Sequence, residues 1–172
     1  MVAMISTLAI DCGGTFIKAS VLDEAGTMRV HPTQVKTPYP MTPADFVETL
    51  ARIAGELPAA GRVTVGLPGM IRHGVSVMIP HYTTKSGPRS PDLPELVEKW
   101  YGFDVQSALR DRLELPVLVL NDAEVHGAGV VAGSGLEVVL TLGTGQLHRA
   151  VHKADLATLT LVEKGFADFN GE

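Results

Sequence analysis

A short apolar run, residues 7–10, stops at Asp11-Cys12-Gly13-Gly14, and a second apolar, β-branched run follows over residues 15–22. Glycine takes backbone angles that other residues resist, so a glycine pair between two strand-forming runs implies an abrupt reversal. The first two strands are therefore expected to be antiparallel neighbours. Asp23-Glu24-Ala25-Gly26 supplies the next turn and residues 28–35 a third strand, which Pro38 and Pro40 close.

Past this point the period changes. Thr42 can cap a helix, Pro43 suits its first position, and Asp45 lies three residues beyond the cap. Phe46, Val47, Leu50, Ile53 and Leu57 then share one helical face, and Pro58 and Gly61 end it. Residues 62–67 read as a buried strand running into Pro68-Gly69, and residues 70–79 as a hairpin turning at His73-Gly74. Residues 80–94 are polar and proline-rich, a long loop of the kind usually kept for function or movement. Helices over 93–100 and 104–113 follow, then a strand over 117–120 and a small-residue helix over 123–132. Another strand, 138–142, ends at Gly143-Thr144-Gly145. Strands alternating with helices after an antiparallel opening define an α/β domain.

Composition narrows the classes of function. Hydrophobic residues make up 45% of the 172 and charged residues 19%, enough for one folded core. No run of about 18 uncharged apolar residues exists, so no membrane span is expected. The apolar start lacks a cationic leader and runs directly into Asp11, so it reads as a strand rather than a signal peptide. A single cysteine, Cys12, excludes an internal disulfide and fits a reducing, cytoplasmic setting. Fourteen basic against nineteen acidic residues give a net charge of −5, which leaves nucleic acid without its main attraction. Phosphate, if bound, must be met by backbone N–H groups and a metal ion.

Four sequence sites carry candidate chemistry, and each has a plain structural alternative. Asp11-Cys12-Gly13-Gly14-Thr15, with Lys18 beyond it, can bring backbone N–H groups against a phosphate, and Asp11 can hold magnesium directly or through water. The same residues also make an ordinary hairpin turn. Asp122 in Asn121-Asp122 can act as a general base at a strand end, or the pair can cap a helix. Leu142-Gly143-Thr144-Gly145 is either a second phosphate turn or a structural one, and Gly66-Leu67-Pro68-Gly69 needs no ligand at all. His148 and His152 have the spacing of metal ligands on a helix but no third partner nearby. Cys12 reads as an inert small side chain, and Trp100 and Tyr101 as core or lobe-packing residues.

In this order the motifs resemble the ROK family of sugar kinases, within the actin-like ATPase superfamily, from residue 8 to Gly145. The resemblance implies a ribonuclease-H-like lobe: a mixed sheet with an antiparallel opening and flanking helices. It makes Asp11, Gly13, Gly14, Thr15 and Lys18 the first phosphate loop, and Gly143, Thr144 and Gly145 the second. Asp122 becomes the catalytic base, with Asn121 and Gly69 touching the sugar. The implied reaction moves a phosphoryl group from ATP or polyphosphate, with Mg2+, to a hexose hydroxyl, that of glucose first. The 80–94 loop and Trp100-Tyr101-Gly102-Phe103-Asp104 are most similar to the polyphosphate-using branch. A homodimer is an admissible assembly.

The likeness stops at Gly145, where Gln146-Leu147-His148-Arg149 stands in place of a further glycine. This implies a kinase lobe over residues 1–145 and a divergent remnant of a second lobe over 146–172, as from a truncated or frame-altered gene. The alternatives are an inactive half-kinase and, behind it, a sugar-responsive regulator.

Overall fold

A computed structural model describes residues 6–128, 130, 136–142, 147–153 and 159–161. The chain divides into two compact units, Met1–Asp122 and Ala123–Glu172. Among the described residues no helix is long and apolar enough to cross a membrane.

The first unit is built on a five-stranded sheet in the order β3-β2-β1-β4-β7. β1 (Thr7–Cys12), β2 (Phe16–Leu22) and β3 (Thr33–Lys36) form the antiparallel meander. β3 begins later than the sequence pattern suggests. Met28 makes only an isolated bridge to Leu22, and Pro32, which has no N–H to donate, stands just before the strand. β4 (Arg62–Leu67) and β7 (Val117–Asn121) then extend the sheet in parallel. Parallel neighbours need crossovers, and the helices provide them. α1 (Pro43–Gly55) carries the chain to β4, while α2 (Pro94–Trp100) and α3 (Val105–Leu113) carry it to β7. Between β4 and α2 lies the hairpin of β5 (Met70–Arg72) and β6 (Val75–Met78), turned at His73 and Gly74, both with positive φ.

The α1 capping box forms as its residues require: Thr42 accepts from the Asp45 N–H, and Asp45 bonds back to the Thr42 N–H. Phe46, Leu50 and Ile53 are buried, whereas Leu57 lies past the helix end and is only partly covered. Strand pairing puts Leu8, Ile10 and Cys12 on the same face as Ile17, Ala19, Val21, Val63, Val65 and Leu67. All of these are buried in one core with Val105 and Leu109 of α3. Asp11 and Lys18 pair across the strands on the opposite face. The Val119 N–H of the edge strand β7 donates to Gln106 Oε1 from α3, which shields part of that edge.

Residues 80–94 are ordered by their own polar groups. Thr83 Oγ1 donates to Asp92 at 2.7 Å, Thr84 Oγ1 to the His81 carbonyl at 2.7 Å, and the Leu93 N–H to the Thr83 carbonyl at 2.7 Å. Tyr82 anchors this loop in an aromatic cluster, its ring 5.6 Å from Phe46 and 5.7 Å from Trp100. Trp100 is 1% exposed, as a core residue should be; Tyr101 is 72% exposed and takes no part in that core.

In the second unit, β8 (Leu136–Leu142) pairs antiparallel with β9 (Leu147–Lys153) and parallel with β10 (Leu159–Leu161). A helical metal pair at His148 and His152 is ruled out by this backbone. Four residues along a strand span about 13 Å, not the single turn of a helix. α4 (Asp122–Ala128) spans the boundary between the units.

Candidate functional site

β1, β4 and β7 run parallel side by side, so their C-terminal ends reach one edge of the sheet. The register sets Asp11 beside Gly66, Gly66 beside Leu120, and Leu67 beside Asn121. With strands about 4.8 Å apart, Asp11 and the end of β7 lie about 10 Å from each other. Ligands of open α/β sheets collect at such an edge.

The glycine turn leaves this edge from β1. The Gly13 N–H donates to the Phe16 carbonyl at 2.9 Å, closing the hairpin. A Cβ on Gly13 would sit 2.8 Å from that carbonyl oxygen, so no larger residue fits there. Both glycine carbonyls are held from within the protein. Thr37 Oγ1 donates to the Gly13 oxygen at 2.8 Å, joined by the Tyr82 hydroxyl at 3.5 Å. The Tyr39 hydroxyl donates to the Gly14 oxygen at 2.7 Å. A Cβ on Gly14 would meet Pro88 at 2.9 Å and the His81 ring at 3.1 Å, so the 80–94 loop lies directly against the turn. Asp11 is exposed at the base of the turn, while Cys12 is buried. Burial pushes the Cys12 thiol well above its usual range and the neighbouring Asp11 charge adds to this, with a Tyr82 hydrogen bond partly opposing.

Gly69 stands at φ +107°, with its carbonyl oxygen accepting from the Asn121 side-chain amide. Asp122 follows Asn121 directly as the first residue of α4 and is half-buried. Asp11, Gly13, Gly14, Thr15 and Lys18 thus share one hairpin, and Gly69, Asn121 and Asp122 lie at the ends of the adjoining strands. Gly143, Thr144 and Gly145 lie outside the described residues. Magnesium keeps most of its waters and binds through one or two carboxylates plus substrate phosphates. No group of three or more His, Cys, Asp or Glu side chains that could cage a metal occurs among the described residues. A single exposed carboxylate at the turn, Asp11, fits a magnesium ion shared with a phosphate.

Thr37, Tyr39 and Tyr82 have no counterpart among the residues singled out from sequence. Tyr39, between Pro38 and Pro40, reads in sequence only as the end of a meander, and Tyr82 as part of a polar loop. Only Tyr39 has a local mark, a hydroxyl residue between two prolines, and that arrangement does not by itself indicate a role at the glycine turn.

Residues 7–146 match the ROK family. A glucokinase of Streptomyces coelicolor is 30% identical over 151 residues, covering 81% of this chain and 41% of its own length. An N-acetylmannosamine kinase of Escherichia fergusonii is 30% identical over 148 residues, covering 81% and 45%. Among solved structures, the inorganic polyphosphate/ATP-glucomannokinase of Arthrobacter sp. strain KM superposes with a TM-score of 0.68 and 31% identity. That match covers 86% of this chain and 58% of the other. The chain therefore spans less than half the length of the two relatives compared by sequence. Its α/β lobe is that of the actin-like ATPase fold shared by these sugar kinases, and the chain belongs to the ROK family.

Proposed function

We propose that the chain is the phosphate-donor half of a sugar kinase, with Asp122 as general base. The observation that carries this reading is the shared edge of β1, β4 and β7, which assembles the glycine turn, the Gly69–Asn121 pair and Asp122. Asp122 takes the proton of a sugar hydroxyl as that oxygen bonds to the terminal phosphorus of the donor. The bond from phosphorus to the bridging oxygen breaks, and ADP or a shortened polyphosphate departs. The Gly13-Gly14-Thr15 turn holds the donor by backbone N–H groups and Lys18 balances charge; Gly143-Thr144-Gly145 is the second candidate phosphate-binding motif of the sequence. Asn121 and Gly69 border the sugar. Magnesium, held at Asp11 directly or through water, would neutralise charge on the donor oxygens.

Glucose is the first candidate acceptor, because the relatives' names include glucokinase and glucomannokinase; N-acetylmannosamine is the second. The donors to test are the two in the glucomannokinase's name, ATP and polyphosphate. Kinases of this fold close two lobes to exclude water, and the chain spans 41% of the Streptomyces relative, so binding without turnover is the second reading. Coupled assays with each sugar and donor, paired with calorimetry, separate the two. Asp122→Asn should remove turnover and leave binding in place. Unchanged turnover would remove Asp122 from its role, and an absence of both binding and turnover would end the kinase reading.

A further inference from the structure

The loop that meets the donor is itself held by three hydroxyl groups from distant parts of the chain. Peptide planarity makes this matter: in a trans peptide the C=O and N–H point in opposite directions. Fixing the Gly13 oxygen toward Thr37 and Tyr82 therefore turns the Gly14 N–H away from them. Fixing the Gly14 oxygen toward Tyr39 turns the Thr15 N–H away in the same manner. The Gly13 N–H is committed to the Phe16 carbonyl inside the turn, so the Gly14 and Thr15 N–H groups are the ones that the hydroxyls aim.

We propose that Tyr39 and Thr37, supported by Tyr82, are positioning residues for the phosphate donor, fixing the glycine carbonyls so that the Gly14 and Thr15 N–H groups face it. The inference rests on the donor-loop reading above and deepens it. The holders are firmly placed. Thr37 is buried, and its own N–H donates to the Thr15 carbonyl at 3.0 Å, binding both sides of the turn to one residue. The Tyr39 ring lies against Gly87, whose φ is +101° and where a Cβ would come within 3.0 Å of the ring. It also tilts against Tyr82, with ring centroids 6.4 Å apart. Burial raises the Tyr39 hydroxyl to about 12, so it keeps its proton and remains a donor throughout the working range of an enzyme. The 80–94 loop thus acts on the donor turn through Tyr82 and Gly87 without needing to touch the donor.

Magnesium tripolyphosphate, titrated into the 15N-labelled chain, tests the proposal. In the unaltered protein the Gly14 and Thr15 amide resonances should move most. Tyr39→Phe and Thr37→Val should each weaken tripolyphosphate roughly three- to tenfold. The starting positions of those two amides should also change, with calorimetric affinity for glucose unaltered. Thr37→Ser, which keeps the hydroxyl, should bind like the parent; a purely structural role would weaken donor and sugar together. Should Tyr39→Phe fail to fold, the Thr37→Val and Thr37→Ser pair decides. Folded variants that bind tripolyphosphate as the parent does overturn the positioning role alone. A parent chain whose Gly14 and Thr15 amides ignore tripolyphosphate overturns the donor-loop reading, and this proposal with it.

Discussion

The side-chain amide of Asn121, the last residue of β7, donates to the carbonyl oxygen of Gly69, 52 residues earlier in the chain. Register explains the meeting, since Asn121 stands opposite Leu67, two residues before Gly69. The bond joins the end of the edge strand to the turn after β4, so the two residues expected to border the sugar also hold each other. Asn121→Asp removes the amide donor and sets a carboxylate oxygen against a carbonyl oxygen. It should lower unfolding stability by about 1–3 kcal/mol in urea titrations at neutral pH. A variant as stable as the parent would mean that the bond contributes nothing.

Gly69 itself should tolerate no side chain. Its φ of +107° is unfavourable for other residues, and a Cβ would lie 2.1 Å from the Met78 carbonyl oxygen and 3.1 Å from the Ile79 Cα. Both neighbours are backbone and cannot swing aside. Gly26 has φ +79° but open space around it, so alanine there meets only the backbone penalty of about 1–2 kcal/mol. Gly69→Ala should cost more than Gly26→Ala, by about 2 kcal/mol or more. Paired thermal and urea melts read the difference directly.

Legibility in the sequence followed the range of the interactions. The α1 cap, the hairpin at His73-Gly74 and the span of β4 are set by neighbours a few residues apart, and the structure has them where the pattern puts them. Apolar character alone extends β3 back to Met28, whereas the strand starts at Thr33, because Pro32 limits the pairing. His148 and His152 suit a helix by spacing and sit on a strand, because pairing with β8 over the full length of β9 overrides spacing. In the site, the glycine turn, Gly69 and Asn121-Asp122 carry recognisable motifs. Thr37, Tyr39 and Tyr82 carry none: they reach Gly13 and Gly14 only through contacts 24 to 69 residues long.

Alkaline pH should weaken the fold beneath the glycine turn. Burial raises the Cys12 thiol well above its ordinary 9.0 and the Tyr82 hydroxyl well above 10.0. Tyr39 is pushed by burial to about 12. In each case the folded chain holds its proton after the unfolded chain has released it, so stability falls as pH rises. The stabilising effect is complete below about pH 9, where all three groups are protonated in both states, and declines above it. Urea midpoints measured from pH 7 to 11 should be level as far as these groups are concerned, then drop. Cys12→Ala should make the first part of that drop shallower, and the native thiol should resist thiol reagents at pH 8. An equally steep fall in the variant would remove Cys12 from the account.

Trp100 joins the loop that backs the glycine turn to the helical side of the core. Its ring centroid lies 5.5 Å from Phe46, 5.7 Å from Tyr82 and 5.9 Å from Phe103. Its Nε1–H donates to the Met41 carbonyl at 2.9 Å inside the protein. Trp100→Phe keeps an aromatic ring but leaves that carbonyl without this donor and opens space beside Tyr82. A buried unmet acceptor and a partial cavity together should cost about 2–4 kcal/mol. Tyr101→Ser, at the next position but 72% exposed, should change stability by no more than about 0.5 kcal/mol. Trp100 is the chain's one tryptophan, so unfolding has to be followed by far-UV circular dichroism rather than fluorescence. If the two substitutions cost the same, the aromatic cluster does not anchor the loop, and Tyr82 would reach Gly13 without Trp100 behind it.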